Sequence, residues 1–216
     1  MLLNENTVIY GDKVILVPYR SVLHQTYHEW MKSPELLELT ASEPLTFEEE
    51  LDMQRWLTCP PLELTFILLA RPSDLPASTT HVVPSSALSR CQMVGDVNLF
   101  LPNGPQEDVE CEIMIAEAEF RRKGLAFEAL QLFLTYAINS DLSIPPANLI
   151  ARIGSKNTAS ISLFERLGFK TVKVVSVWDE VEMRWGWNAA AEAVAGTAAD
   201  WPSTLLDGRL GSYEQR

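Results

Sequence analysis

Arg121-Arg122-Lys123-Gly124-Leu125-Ala126 decides the reading of this chain. It follows a strand-like run, Glu112-Ile113-Met114-Ile115-Ala116, and opens a long apolar helix pattern. A basic, glycine-containing loop at a helix start is a cradle for a pyrophosphate. Gly124 has no Cβ, so backbone can approach a ligand there. The first helical turn, with Leu125 and Ala126, offers unpaired N–H groups and the positive end of the dipole. The spacing Arg-x-x-Gly-x-Ala is neither the dinucleotide-binding pattern nor a Walker loop, which requires Gly-Lys-Ser/Thr.

A second element lies downstream, where Asn157-Thr158-Ala159-Ser160 precedes Leu163-Phe164-Glu165-Arg166-Leu167-Gly168-Phe169. Asn157 is a good helix N-cap. Ile161, Phe164 and Leu167 share a helix face, and Gly168 ends the helix before a strand. The two elements together resemble the coenzyme A loop and second motif of the GNAT acetyltransferases. The resemblance extends over about residues 8–187. More narrowly, His28-Glu-Trp-Met-Lys32, Leu39-Thr-Ala-Ser-Glu-Pro-Leu-Thr46, Met93-Val-Gly-Asp-Val-Asn-Leu-Phe-Leu101 and Glu112-Ile-Met-Ile-Ala-Glu117 look like the N-acetyltransferase 9 family of eukaryotes.

Strand patterns fall at residues 14–18, 65–70, 94–101, 111–116, 148–153, 172–177 and 181–185. Helix patterns fall at 22–32, from Ser33-Pro34 onward, at 46–57 and at 125–139. Thr46 with Glu49 makes a capping box, and Pro34 fits a first helical turn. Residues 71–90, rich in Pro, Ser and Thr, read as a flexible insertion. Residues 188–216 read as a loosely held tail. This order is that of the GNAT fold, an α/β (α+β) arrangement with a mixed, mostly antiparallel sheet and helices on both faces.

Length and charge set bounds. The chain has 216 residues, three cysteines and a net charge of −12. That suits one domain with a sizeable core. It argues against a nucleic-acid surface, which needs a basic stripe, and an acidic surface attracts amines and basic peptides. No apolar run is long enough for a membrane span, and the N-terminus does not read as a signal peptide. Few, odd-numbered cysteines without metal spacing point to reduced thiols, no metal, and a cytoplasmic or nuclear compartment.

The resemblance implies an acetyl-coenzyme A-dependent N-acetyltransferase, in which amine and thioester meet in one ternary complex and positioning supplies much of the rate. Backbone N–H groups of Ile113, Met114 and Ile115 would polarise the carbonyl and hold pantetheine. Arg121, Arg122, Lys123, Gly124, Leu125 and Ala126 would hold the pyrophosphate. Asn157 would hold pantetheine or water, with a plain N-cap as its other reading. A lysine-like amine is only about one part in a thousand neutral near pH 7, so a base is needed. Glu112 is the first candidate, as related ribosomal-protein acetyltransferases carry Glu there. Glu110 shares its strand face by alternation, and Asp96 is expected to face the cleft from the neighbouring strand. Many relatives carry an acidic Tyr where this chain has Phe164, so a dedicated side-chain acid is in doubt. Cys111 reads as a small buried hydrophobe, Tyr136 as packing, and Trp178, Trp185 and Trp187 as lining the acceptor groove or capping the core, with core packing favoured. The acceptor implied is a protein or peptide amine. A small-molecule amine and a coenzyme-binding interaction module are the alternatives.

Overall fold

The computed structural model describes residues 2–56, 63–75, 82–83, 88, 90–194, 201 and 206–213. Its strands are β1 (Thr7–Tyr10), β2 (Val14–Pro18), β3 (Glu63–Ala70), β4 (Val82–Val83), β5 (Gln92–Phe100), β6 (Val109–Ile115), β7 (Leu149–Gly154), β8 (Phe169–Val175), β9 (Glu180–Trp185), β10 (Trp187–Asn188), β11 (Ala193–Val194) and β12 (Leu210–Tyr213). Its helices are α1 (His24–Trp30), α2 (Pro34–Leu39), α3 (Phe47–Trp56), α4 (Leu125–Asn139) and α5 (Thr158–Arg166). Ten strands form one sheet in the order β4-β12-β1-β2-β3-β5-β6-β7-β9-β8. Neighbours are antiparallel except β12–β4 and β6–β7.

Both faces of the sheet centre are covered, which is why β2 and β3 read as near-continuous apolar runs. Val14, Leu16, Phe66 and Leu68 pack on the side of α4, and Ile15, Val17, Ile67 and Leu69 on the other. The capping box holds as expected: Thr46 N–H donates to Glu49 Oε2 at 2.8 Å and Glu49 N–H to Thr46 Oγ1 at 3.3 Å. Helix α4 has the bounds expected from its pattern. Tyr136 and Cys111 are buried, as read.

Three expectations change. Residues 201 and 206–213 are not a loose tail. Trp201 is buried, packs at a tilt against Trp185 with ring centroids 5.2 Å apart, and donates its Nε1–H to Thr135 Oγ1 at 2.9 Å. Strand β12 then pairs with β1, itself a strand outside the sequence reading. The cause lies in α4, which is apolar around most of its girth; such a helix needs cover on the side away from the sheet, and the C-terminal segment supplies it. Second, Trp178 is 73% exposed at the β8–β9 turn, whereas Trp185 is core as expected. Third, within the expected insertion Leu88 is buried, Arg90 pairs with Asp74 and β4 pairs with β12. Residues 76–81, 84–87 and 89 lie outside the described residues.

Candidate active site

Strands β6 and β7 touch only at Val109–Leu149 and Glu110–Ile150, although β6 continues to Ile115. Beyond that point they splay. On its other edge β6 stays registered with β5 along its length, from Phe100–Glu110 to Gly95–Ile115. Ala116 N–H donates to Val94 O. Alternation along the strand therefore turns the N–H groups of Ile113 and Ile115 toward the gap, and that of Met114 toward β5. Gly95 is required beside this edge, because a Cβ there would overlap Met114 O. Arg121 secures the far end: its Nε donates to Ile115 O at 2.9 Å and its Nη2 to Ala116 O at 3.3 Å.

The loop beyond is built by backbone conformation. Arg122 has φ 59° and Gly124 φ 83°, and such turns aim successive N–H groups to one side. No acceptor among the described residues meets the N–H groups of Arg122, Lys123, Gly124, Leu125 or Ala126. Glu128 pins the base of the loop by accepting Asp12 and Lys13 N–H at 2.5 and 2.8 Å, and Lys13 Nζ donates to Lys123 O at 3.0 Å. A cavity of about 870 Å³ runs from Ile113 and Ile115 past this loop to α5.

The basic residues divide. Arg121 is committed to the two carbonyls and to Glu35 at 2.7 Å. Arg122, Lys123 and Arg166 have no carboxylate partner among the described residues; Lys123 lies over the Phe120 ring and Arg166 over Phe127. Arg166, which lines the same cavity, was missed in the sequence because a cation in a last helical turn has an ordinary role at the dipole's negative end. Asn157 caps α5, its Oδ1 accepting Ser160 N–H at 3.1 Å. The free strand-edge donors, the free loop N–H groups and three free cations fit an extended, amide-bearing polyanion such as coenzyme A.

The opposite sheet face is acidic. Glu110, Glu112 and Met114 alternate onto it, opposite Phe100, Asn98 and Asp96 of β5. They floor a cleft of about 430 Å³ whose rim includes Tyr27, Leu39, Arg152 and Trp178. The three carboxylates named from sequence thus meet in one place, in different states. Glu110 is tied to Arg152 at 2.5 Å, which also holds Glu182 at 3.3 Å; burial still raises it, and Arg152 opposes the rise. Glu112 has no hydrogen bond or ion pair among the described residues and is exposed to the cleft. The surrounding walls, and then Glu110 and Glu63, push its carboxyl up to about 7. Asp96 is 3% exposed and is also pushed up to about 7, chiefly by burial, against a lowering hydrogen bond from Asn98 Nδ2 at 2.7 Å.

Phe164 lines the cleft but is buried against Phe169, with ring centroids 5.0 Å apart, and carries no hydroxyl. Behind the cleft, Tyr19 OH meets His24 Nδ1 at 2.7 Å and His28 Nδ1 meets Glu50 at 3.0 Å, bracing α1 against α3. Among the described residues no cluster of side chains suits a metal ion.

The acetyltransferase (GNAT) domain family model matches residues 13–170. The human alpha/beta-tubulin-N-acetyltransferase 9 is 43% identical over 188 residues, covering 85% of this chain and 85% of that protein. The Drosophila melanogaster protein of that name is 41% identical over 217 residues, covering 99% and 100%. An N-acetyltransferase 9-like protein of Dictyostelium discoideum is 40% identical, covering 84% and 85%. Among solved structures, a Vibrio cholerae spermidine N-acetyltransferase in complex with CoA and spermine superposes with a TM-score of 0.64, covering 80% of this chain and 95% of that one. At 16% identity that likeness is one of fold.

Proposed function

The chain belongs to the N-acetyltransferase 9 family of GNAT acetyltransferases and is an acetyl-coenzyme A-dependent N-acetyltransferase, and from that premise we propose that it acetylates an amine of a protein, with Glu112 as the base. The observation that carries the base is the contrast within β6: Glu110 is held by Arg152, while Glu112 faces the cleft unpaired. Acetyl-coenzyme A supplies the activated acyl group. The chain's own residues do the rest. The N–H groups of Ile113 and Ile115 oppose the charge that grows on the acyl oxygen, as fixed dipoles that need no reorganisation. Arg122, Lys123, Arg166 and the loop N–H groups anchor the phosphates. Glu112 takes the amine's proton, at a carboxyl matched to neutral pH. Phe164 offers no proton, so return of a proton to the departing sulfur falls to solvent.

Two features support a protein acceptor. The human and fly relatives are named for tubulin. The end of β8 and the β8–β9 turn beside the cleft expose Val174, Val177 and Trp178, apolar surface that a protein partner would bury. The test is turnover of the N-terminal peptides of α- and β-tubulin, with spermidine alongside and mass spectrometry locating the acetyl group. Acetylation of a peptide amine is the expected result. Acetylation of spermidine alone would overturn the protein acceptor.

A further inference from the structure

The floor of the acceptor cleft contains two acceptor atoms that no donor among the described residues satisfies. Asp96 Oδ1 and Asn98 Oδ1 are both buried and without a hydrogen-bond partner, while the other ends of the two side chains bond each other at 2.7 Å. A buried acceptor left alone costs the full desolvation of that group, and an almost fully buried carboxylate costs more. Asp96 is in a crowded acidic setting: Glu63 from β3 and Glu112 from β6 add negative field, and Tyr27 from α1 and Tyr19 ahead of it feel the Asp96 charge. Of the cations lining this cleft, Arg152 is spent on Glu110 and Glu182, and Lys156 on Asp179. A purely structural position would be better filled by an apolar residue.

Asp96 lines the cleft but is almost fully buried, so it presents little surface to an acceptor amine. Paired acceptors in a polar pocket are what a buried water requires. Asp96 and Asn98 sit next to Glu112 across the β5–β6 ladder, Asn98 directly opposite it and Asp96 two residues along. We propose that Asp96, steadied by Asn98, is the second acid of the acceptor site: it receives through a buried water the proton that Glu112 takes from the amine, so that Glu112 is restored as a base within the turnover. The inference rests on Glu112 being the base and the cleft being the acceptor site. In the balanced step the nitrogen–carbon bond forms and the carbon–sulfur bond breaks. The amine enters as an ammonium and gives up two protons, each by way of Glu112, water and Asp96 to solvent; the departing sulfur takes one back from solvent, and the other is the net proton released. Asp96 touches neither substrate, so it is a positioning and proton-holding residue.

The test compares wild type with Asp96→Asn and Asn98→Ala on the β-tubulin N-terminal peptide across pH 5.5–9, together with acetyl-coenzyme A titration and thermal melts. Asp96→Asn should lower kcat about 10-fold near neutrality and remove one ionisation from the pH profile. Acceptor KM and coenzyme affinity should stay within about 2-fold, a shift too small to count as lost binding. Asn98→Ala keeps the carboxyl but removes the bond that lowers it, so the profile should move to higher pH. The melts report whether the buried carboxyl is charged in the folded state, whatever its role, and show that each variant is folded. A carboxyl whose folded value is raised binds its proton more tightly when folded, and so withdraws stability as pH climbs from its unfolded value toward about 7. Asp96→Asn should therefore melt higher than wild type at pH 8 and with little difference at pH 4. An unchanged kcat and profile, or a lower melting temperature at both pH values, would overturn the proposal. Carbon-detected NMR titration of the side-chain carboxyls needs no acceptor and separates this idea from the acceptor reading. If the wild type acetylates neither peptide nor spermidine, the proposed acceptor falls. Asp96 must then still titrate at lower pH in Glu112→Gln than in wild type, and no shift would overturn the coupling.

Discussion

The two sides of the sheet differ in how their chemistry is encoded. On the coenzyme side the working groups are mostly main chain: strand-edge N–H groups at Ile113 and Ile115 and the loop N–H groups of residues 122–126, held by backbone conformation. On the acceptor side they are side chains gathered from β5 and β6, with walls from α1, α2, β7 and the β8–β9 turn. Backbone sites depend on glycine, register and turns, so they lie in short contiguous strings. Side-chain sites depend on which strands become neighbours. The first kind tolerates side-chain exchange and fails on backbone change, and the second does the opposite.

That contrast can be broken from either side. Gly95→Ala should damage both, since the added Cβ meets backbone at Met114 O rather than a flexible side chain. We expect a loss of about 3 kcal/mol of stability in denaturant unfolding, with weakened coenzyme binding in what remains folded. Gly124→Trp should strike the coenzyme side alone. Its φ of 83° is one that side-chain-bearing residues rarely adopt, and an indole there would stand where a ligand approaches the loop. Acetyl-coenzyme A affinity should fall at least about 100-fold, or about 2.7 kcal/mol, in calorimetric titration, with the fold intact by circular dichroism. Arg166→Ala sharpens the division further: it should raise the acetyl-coenzyme A KM by about 10-fold at low salt and less at high salt, as a lost, partly exposed charge contact would. Asn157→Ala is expected to be mildest, costing about 1 kcal/mol of stability through the lost N-cap; a far larger loss of coenzyme affinity than of stability would show that Asn157 also holds ligand.

The same division explains what could be read before the structure. The loop, the α4 bounds, the capping box and the Asn157 cap were legible because each is set by a few adjacent residues. The three carboxylates were legible as candidates: Glu112 through the family resemblance, Glu110 through alternation along β6, and Asp96 through the neighbouring position of β5. Their roles were not, because Arg152, which ties Glu110, arrives from β7, 42 residues away in sequence. Arg121 read as a phosphate ligand, whereas the fold gives its side chain to Ile115 and Ala116 carbonyls and to Glu35. The C-terminal segment read as a tail because its composition is Ala- and Gly-rich. Its buried Trp201 gains meaning only against the uncovered flank of α4, and its strand β12 only against the edge of β1. Trp178 fell the other way, since size alone predicts burial and only its place at a turn beside the cleft accounts for its exposure.

The most direct measurement is kcat and acetyl-coenzyme A affinity on one preparation of Glu112→Gln across pH 5.5–9. Wild-type turnover should rise with pH through about 7, where Glu112 loses its proton and becomes a base. In Glu112→Gln kcat should fall about 100-fold with that rise flattened, while coenzyme affinity stays as in wild type. A variant that turns over at the wild-type rate with the wild-type pH dependence would contradict the assignment of base chemistry to this side of the sheet.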